Sequence, residues 1–497
     1  MNRFLPAVAF FVWCVCSLVV ESAASAEEPG SLLAAATTSS DATHAQNAHG
    51  HGPKLGELIS PAAVAPFALL LLCIAIFPLA KPHWWEHNTN KGIIAAVLGI
   101  PVTAYLLSFG DVGTHALEHV AKEYVSFLLL LGSLFVISGG VYVRGALHGS
   151  PALNAAFLGL GACIASFVGT TGASMLLIRP LLRANRDRKR VAHVVVFFIF
   201  VVSNCGGLLT PLGDPPLFLG FLKGVPFGWT FRLWPQWAFV NGVLLVVFFL
   251  WDTIAIRSES ATPEQRAALE DPDVPEPFGL EGLHNFWGLA GIVAVIYCSG
   301  QGLGNGGEPW PWGVQEALMV VITMVCYRRT TKAIREKNSF GFGPIIEVAV
   351  LFAGIFVTMI PALAMLNVHG KNLGIESPAQ FFWASGVLSS FLDNAPTYLT
   401  FAVTACGIHG VNTEDGRYLA EFLRLPADSG AAQILAAISC GSVFMGANTY
   451  IGNGPNFMVK AIAEENNVKM PGFFGYMAYS CGILIPIFIA VTFVFFR

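Results

Sequence analysis

Two stretches of the chain bring chemically capable residues together at matched spacing. SNCGGLLTPLGDPPLF (203–218) and SVFMGANTYIGNGPNF (442–457) align without a gap and share Ser, Gly, Thr, Gly, Pro and Phe at six of sixteen positions. Each starts in an apolar run long enough for a membrane helix, then breaks it with glycine, proline and polar side chains. Non-helical backbone at membrane depth survives only where it lines a cavity or lies under protein, because hydrocarbon offers its N–H and C=O groups no partner. Paired interruptions, one in each half of a membrane protein, point to a secondary transporter's binding site.

Two carboxylates lie in interrupted segments, Asp214 in PLGDPP and Asp393 in LDNAP. A carboxylate at such a depth marks an ion or proton path, where it can exchange a proton for sodium; alternatively it caps a half-helix by accepting backbone N–H bonds. Thr170, Thr171, Ser174, Asn204, Thr210, Asn394, Thr397, Asn448, Thr449, Asn453 and Asn456 are candidate ion or substrate ligands. The same residue types also bond neighbouring backbone inside membrane helices. Carbonyls and hydroxyls suit a hard cation such as sodium, and half-helix N-termini suit an anion. Arg179 is the cation best placed to meet an anion, unless it reaches back to the cytoplasmic face. Glu347, at the start of an apolar run, reads either as an interfacial residue or as part of a proton path.

The elements that must position these residues follow from composition. With 55% hydrophobic and 12% charged residues and a mean hydropathy of +0.63, the chain is an all-α polytopic membrane protein. Its net charge of −4 and short basic loops give no reason to expect a nucleic-acid partner. The ten cysteines lie in or beside apolar segments and read as packing residues. Residues 1–26 have the form of a signal peptide, with Arg3, an apolar run and Ala24-Ser25-Ala26 before Glu27. Residues 27–60 read as a flexible extracytoplasmic segment in which His44, His49 and His51 could bind metal or be incidental. The transmembrane transporter domain is expected over 61–497.

Ten apolar runs have spanning length, at 61–80, 92–109, 124–143, 191–222, 235–256, 284–300, 313–327, 344–366, 431–466 and 471–496. Two more, 151–182 and 379–404, are cut in the middle by GTTGA and DNAPT and read as spans or as re-entrant hairpins. The basic clusters Arg183–Arg190 and Arg328–Lys337 belong in the cytoplasm. With residue 60 outside, both clusters fall inside only if the first hairpin enters from the cytoplasm and the second from outside. The predicted fold is an inverted-repeat secondary transporter with two re-entrant hairpins and two broken helices, its repeats at about 120–222 and 344–466. The tips SFVGTTGASMLL (166–177) and SFLDNAPTYLTF (390–401) align with one gap, which pairs Thr171 with Asn394.

The stretches 169–185, 203–227, 343–363, 389–401 and 445–465 together resemble the ion transporter superfamily, over about residue 60 to the C-terminus. They look like its citrate transport family, whose members are commonly named sodium:proton antiporters, and more distantly like arsenite permeases and divalent anion/sodium symporters. The resemblance implies a scaffold and a transport domain, elevator-like motion and a homodimer. It implies sodium at the hairpin tips, with ligands drawn from Thr170, Thr171, Asp393 and Asn394 there and from Thr210 and Thr449 in the broken helices. The symporters carry Ser-Asn-Thr at both tips; this chain has Thr-Thr-Gly-Ala-Ser and Asp-Asn-Ala-Pro-Thr.

The acidic site makes sodium/proton antiport by alternating access the expected function, with sodium- or proton-coupled citrate or carboxylate transport as the alternative. Sodium/proton antiport needs a titratable carboxylate, which Asp214 and Asp393 supply. Citrate or carboxylate symport needs positive potential, for which Arg179 and helix dipoles are available. No nucleophile, base and oxyanion set suggests an enzyme, and no cofactor is expected beyond the transported or coupling Na+ and H+. The expected setting is the lipid bilayer of a bacterial inner membrane, with both mature termini extracytoplasmic.

Overall fold

The computed structural model describes residues 55–144, 149–258, 279–306, 308–338, 340–369, 374–413 and 416–497. The signal-peptide reading and the three-histidine tract lie outside them. The chain is an all-α polytopic membrane protein; eight helices among the described residues are long and apolar enough to cross a membrane. We number the main helices α1 (Leu55–Leu58), α2 (Ala65–Ala80), α3 (Asn88–Leu107), α4 (Asp111–Ser138), α5 (Pro151–Val168), α6 (Thr170–Ala184), α7 (Ala192–Val201), α8 (Pro215–Leu222) and α9 (Trp234–Ser258). The rest are α10 (His284–Gly300), α11 (Val314–Arg329), α12 (Gly343–His369), α13 (Pro378–Ser389), α14 (Asn394–Ile408), α15 (Tyr418–Arg424), α16 (Ala431–Met445), α17 (Gly454–Glu465) and α18 (Phe473–Phe495).

Several expected boundaries shift for identifiable reasons. The part of segment 27–60 that is described is packed rather than loose, since α1 is helical and Leu55 and Ile59 are buried with Val102, Leu106 and Ile360. Residues 111–123, expected in a loop, extend α4 to 28 residues, about 42 Å at 1.5 Å per residue. Its C-terminus comes earlier than the apolar run suggests, at Gly139-Gly140. The carbonyls left unpaired there are taken by amides, Asn338 donating to Gly139 and Val141 and Asn285 to Gly140. Tyr142–Arg144 then forms a short antiparallel ladder with Gly279–Glu281. The runs at 284–300 and 313–327 become helices of 17 and 16 residues, shorter than the eight candidate spans.

The interrupted segments share a pattern. A single residue, Gly169, separates α5 from α6; Ser390–Asp393 separates α13 from α14. The runs 191–222 and 431–466 each split into two helices around a 3-10 turn, at Cys205–Leu208 and Gly446–Asn448. His193–Val201 of α7 are buried all round, as expected of a helix with no polar face. By contrast α9 turns Val246, Leu250 and Ile254 outward, the face of a helix that meets lipid.

The base of the α5–α6 pair is fixed by a buried polar cluster. Asp252 of α9, fully buried, accepts from Arg188 at 2.6 Å and from Asn154 at 3.1 Å, and its Oδ1 lies 2.7 Å from His193 Nε2. Asn154 and Asn185 bond each other through both amides, each at 2.9 Å. Removing one partner strands a buried charge, so Asp252→Ala is expected to cost about 3 to 5 kcal/mol. A lowered thermal unfolding midpoint in detergent, with Asp252→Asn losing less, is the measurement that checks it.

Candidate functional site

The two helix breaks are built by equivalent contacts. Thr210 Oγ1 donates to the carbonyl of Ser166, and Thr449 Oγ1 donates to the carbonyl of Ser390 at 2.5 Å. Each hydroxyl also accepts a backbone N–H two residues on, from Leu212 at 3.1 Å and from Ile451 at 3.2 Å. These threonines therefore tie each break to one tip. A Cβ on Gly213 would stand 2.1 Å from the Gly207 carbonyl oxygen, and one on Gly452 would stand 2.6 Å from that of Gly446. Both turns need glycine because backbone meets backbone.

The same close approaches set the correspondence between the tips. A Cβ on Gly207 would meet Thr170, and one on Gly446 would meet Asn394. Thr170 and Asn394 also open their helices. Thr170 therefore matches Asn394 and Gly169 matches Asp393, without a gap, in place of the gapped pairing of Thr171 with Asn394. Gly169 has φ +84°, a conformation that its partner Asp393, at φ −56°, does not share.

All four interrupted segments meet on one carboxylate. Asp214 Oδ1 accepts from Thr170 Oγ1 at 2.8 Å and from Asn453 Nδ2 at 3.4 Å; Oδ2 accepts from Asn394 Nδ2 at 2.7 Å. Thr170 comes from the first tip, Asn394 from the second, Asn453 from the second break and Asp214 from the first. Thr170 N also donates to the Gly213 carbonyl at 2.8 Å. Asp214 is 1% exposed. Four helices begin in this cluster, α6 at Thr170, α8 after Asp214, α14 at Asn394 and α17 after Asn453. Helix N-termini carry partial positive charge, so four of them stand in for the lysine or arginine that would otherwise pair with a buried carboxylate.

An amide chain extends the cluster. Asn453 donates to Asn204 Oδ1 at 3.1 Å and to the Ser203 carbonyl at 3.2 Å. Asn204 donates to Asn456 at 2.7 Å, and Asn456 donates to the carbonyls of Gly446 and Thr449 at 2.8 and 2.9 Å. Ser174 and Ser203 bond through their hydroxyls at 2.8 Å, joining α6 to the first break. Asn448 donates to Ser390 at 2.9 Å, while its buried Oδ1 has no hydrogen-bond partner among the described residues.

Other candidates stand apart from Asp214. Asp393 is half-buried and its Oδ1 accepts the N–H of Ala395 at 3.1 Å, the capping geometry that was the alternative to an ion role. Thr397 is turned to its own helix, donating to the Asp393 carbonyl at 3.0 Å. Thr171 belongs to a half-buried stripe with Met175, Arg179 and Arg183, spaced four residues apart along α6. Arg179 Nη1 is buried without a hydrogen-bond partner among the described residues, with Glu465 as the nearby opposite charge. Glu347 pairs with the buried Lys91 at 2.7 Å and is itself 44% exposed, away from the site network.

Three site residues carried no signal of their own in the sequence. Ser166, Ser389 and Ser390 flank the tips; Ser166 Oγ donates to the Gly206 carbonyl at 2.5 Å and Ser389 Oγ to that of Ser442 at 2.6 Å. Serine in an apolar helix is common, and only the matched positions of Ser166 and Ser390 before the two tips could have singled them out.

Asp214→Asn keeps the shape and removes the charge on which three donors converge. It is expected to leave the protein folded and to lower transport at least a hundredfold, measured in proteoliposomes beside thermal unfolding. Asp393→Asn keeps a good cap, since asparagine caps helices as well as aspartate. Normal transport by that variant would confine Asp393 to capping; loss at unchanged stability would assign it an ion or proton.

Comparison with known proteins adds one finding to this geometry. The comparison with curated proteins gave no match. Residues 56–496 match the family described as "Putative citrate transport". That range takes in every interrupted segment and the whole Asp214 cluster, and the chain belongs to this family of membrane transporters.

Proposed function

We propose that the protein is a secondary active transporter in a bacterial inner membrane that exchanges sodium for protons, by alternating access of elevator type, at a site centred on Asp214. The observation that carries this is the seat of the Asp214 carboxylate, where four helix N-termini and three neutral donors converge. Those ends would otherwise be the place for a substrate anion. Here a fixed carboxylate takes it, and no lysine or arginine takes part in the network. A proton or a sodium ion can replace the donors of Asp214 in turn. Oxygens of Thr210, Thr449 and Asn448, with Thr170, Thr171, Asp393 and Asn394 at the tips, are within the same set of breaks and offer further ligands of the hard type that sodium takes.

The proposal includes an inverted repeat over about 120–222 and 344–466. The recurrence of the threonine-to-serine carbonyl bonds, of the glycine contacts and of the tip positions supports it. It further includes two re-entrant hairpins, α5–α6 entering from the cytoplasm and α13–α14 from outside, a cleaved segment 1–26, mature termini outside and a homodimer. The orientation predicts cysteine labelling. In a protein freed of its native cysteines, Lys189→Cys and Lys332→Cys should react with an impermeant maleimide only after permeabilisation, and Asp428→Cys without it, all three positions being exposed. External labelling at Lys189 would overturn the opposed hairpins.

A second reading, citrate transport coupled to sodium or protons, fits the family description better. Its structural support is Arg179 on the half-buried stripe below the first tip, whose buried Nη1 has no hydrogen-bond partner among the described residues. Purified protein in liposomes separates the two. For exchange, raising pH should lower the apparent KM for sodium until the carboxylates are ionised, since protons compete for the same oxygens, and citrate should be dispensable. For citrate transport, uptake should depend on the coupling ion, Arg179→Gln should weaken it several-fold, and proton movement without organic anion should be absent.

A further inference from the structure

A second buried charge cluster lies at the far end of the half-helix that Asp214 opens. Lys223 caps the C-terminus of α8 and its ammonium pairs with Glu123 Oε1 of α4. His119 Nδ1 lies 3.2 Å from the same oxygen. The Tyr418 ring stands 5.4 Å from the ammonium, and the Lys223 carbonyl accepts from Leu419 at 3.0 Å. Both side chains of the pair are 9% exposed, whereas His119 is 34% exposed.

Three observations separate this pair from ordinary packing. First, Glu123 Oε2 and the Tyr418 hydroxyl are buried without a hydrogen-bond partner among the described residues. Buried polar atoms are normally satisfied, so two open ones in one cluster mark an arrangement that is not the only one the cluster serves. Second, α8 has eight residues, about 12 Å at the helical rise, and no break between Asp214 and Lys223, so a shift at one end moves the other. It also holds the second tip helix, since a Cβ on Gly220 would stand 2.4 Å from the Tyr398 hydroxyl. Third, the matching half-helix α17 lacks the feature. The sixteen-residue alignment, carried forward, puts Ile462 opposite Lys223, and Lys460 pairs with Glu464 of its own helix at 2.7 Å. Meanwhile α4 is fastened less than one turn further on, Ser126 donating to Glu316 of α11 at 2.6 Å.

We propose that Glu123 and Lys223 form a clasp that positions the Asp214 half-helix against α4 and opens in each transport cycle. The proposal rests on the reading of the chain as a secondary transporter. Lys223 acts through α8, so both members are positioning residues. When the ammonium leaves, His119 stays on Glu123 and connects it to water, which keeps the stranded carboxylate solvated.

The test joins the two positions. A protein freed of its native cysteines and carrying Glu123→Cys with Lys223→Cys is reconstituted, treated with a short cleavable bis-methanethiosulfonate, and assayed for sodium/proton exchange and for citrate uptake. Cross-linking is expected to reduce transport at least tenfold, with recovery on reduction; transport at the full rate by the cross-linked protein overturns the clasp. Should the double variant fold poorly, Glu123→Gln in the full chain serves instead. It is expected to raise the apparent KM of the transported ion several-fold, with the exchanged pair Glu123→Lys plus Lys223→Glu bringing it back, whereas an unchanged KM overturns the proposal. Unmodified protein that moves neither sodium, protons nor citrate would instead retire the transport reading.

Discussion

The structure depends on one carboxylate. Four helix N-termini buried in an apolar bundle present unpaired N–H groups and partial positive charge to one another, and hydrocarbon provides no water to separate them. Asp214 answers the second problem, since its two oxygens accept from the side chains of Thr170, Asn394 and Asn453, and each of those residues stands at the start of one of the helices. Burying the charge is costly, and the partial positive charge of the ends around it offsets that cost. The bonds of Thr210 and Thr449 to the tips and of Asn204 to Asn456 hold the four broken elements together beside it.

The two halves agree in backbone and differ in charge. Thr210 and Thr449 make the same bond, as do the glycine pairs around them. Yet the alignment sets Asp214 opposite Asn453 and the tip contacts set Gly169 opposite Asp393, so each carboxylate has a neutral counterpart. Asp214 sits at the centre and is buried, while Asp393 is half-buried and caps α14. One backbone plan thus gives two carboxylates of unlike accessibility. On the proposed reading the half-buried one meets the ion first and the central one senses it through Asn394, which lies next to Asp393 in the chain and bonds Asp214 directly.

Much of the site could be read from the sequence because breaking a membrane helix requires glycine, proline and polar residues, which stand out in an apolar run. That signal marked Asp214, Thr210, Thr449, Asn394 and Asn453, all of which take part in the breaks and their network. It could not rank them, since capping and ion binding use the same residue types; Asp393 and Thr397 turned to local backbone. The tip register failed by one residue because glycine at 169 replaces a capping side chain with a backbone conformation, which leaves no letter to align. The cluster around Asp252 and the Glu123–Lys223 pair were invisible for another reason. Asp252 lies 59 to 98 residues from His193, Arg188 and Asn154, and Glu123 lies 100 residues from Lys223, so only the packing of α9 on α5 and α7 and of α8 on α4 brings them together. The ladder at Tyr142–Arg144 hid inside an apolar run whose helix stops at two glycines.

The family description and the site pull toward different cargoes, and the conflict has a physical form. Citrate at neutral pH is a multiply charged anion, and the N-termini that would hold it are occupied by Asp214. For such an anion to bind there, either Asp214 must be protonated, so that its donors are freed, or a cation must enter beside it and cancel its charge. Both routes couple the anion to a proton or a sodium ion through the same side chain. On the proposed reading, a fixed carboxylate at a convergence of helix ends would make cation or proton binding the first event whichever cargo follows. The remaining difference is whether the emptied helix ends are then filled by an outside anion guided past Arg179, or stay with Asp214 as it releases one cation and takes up the other.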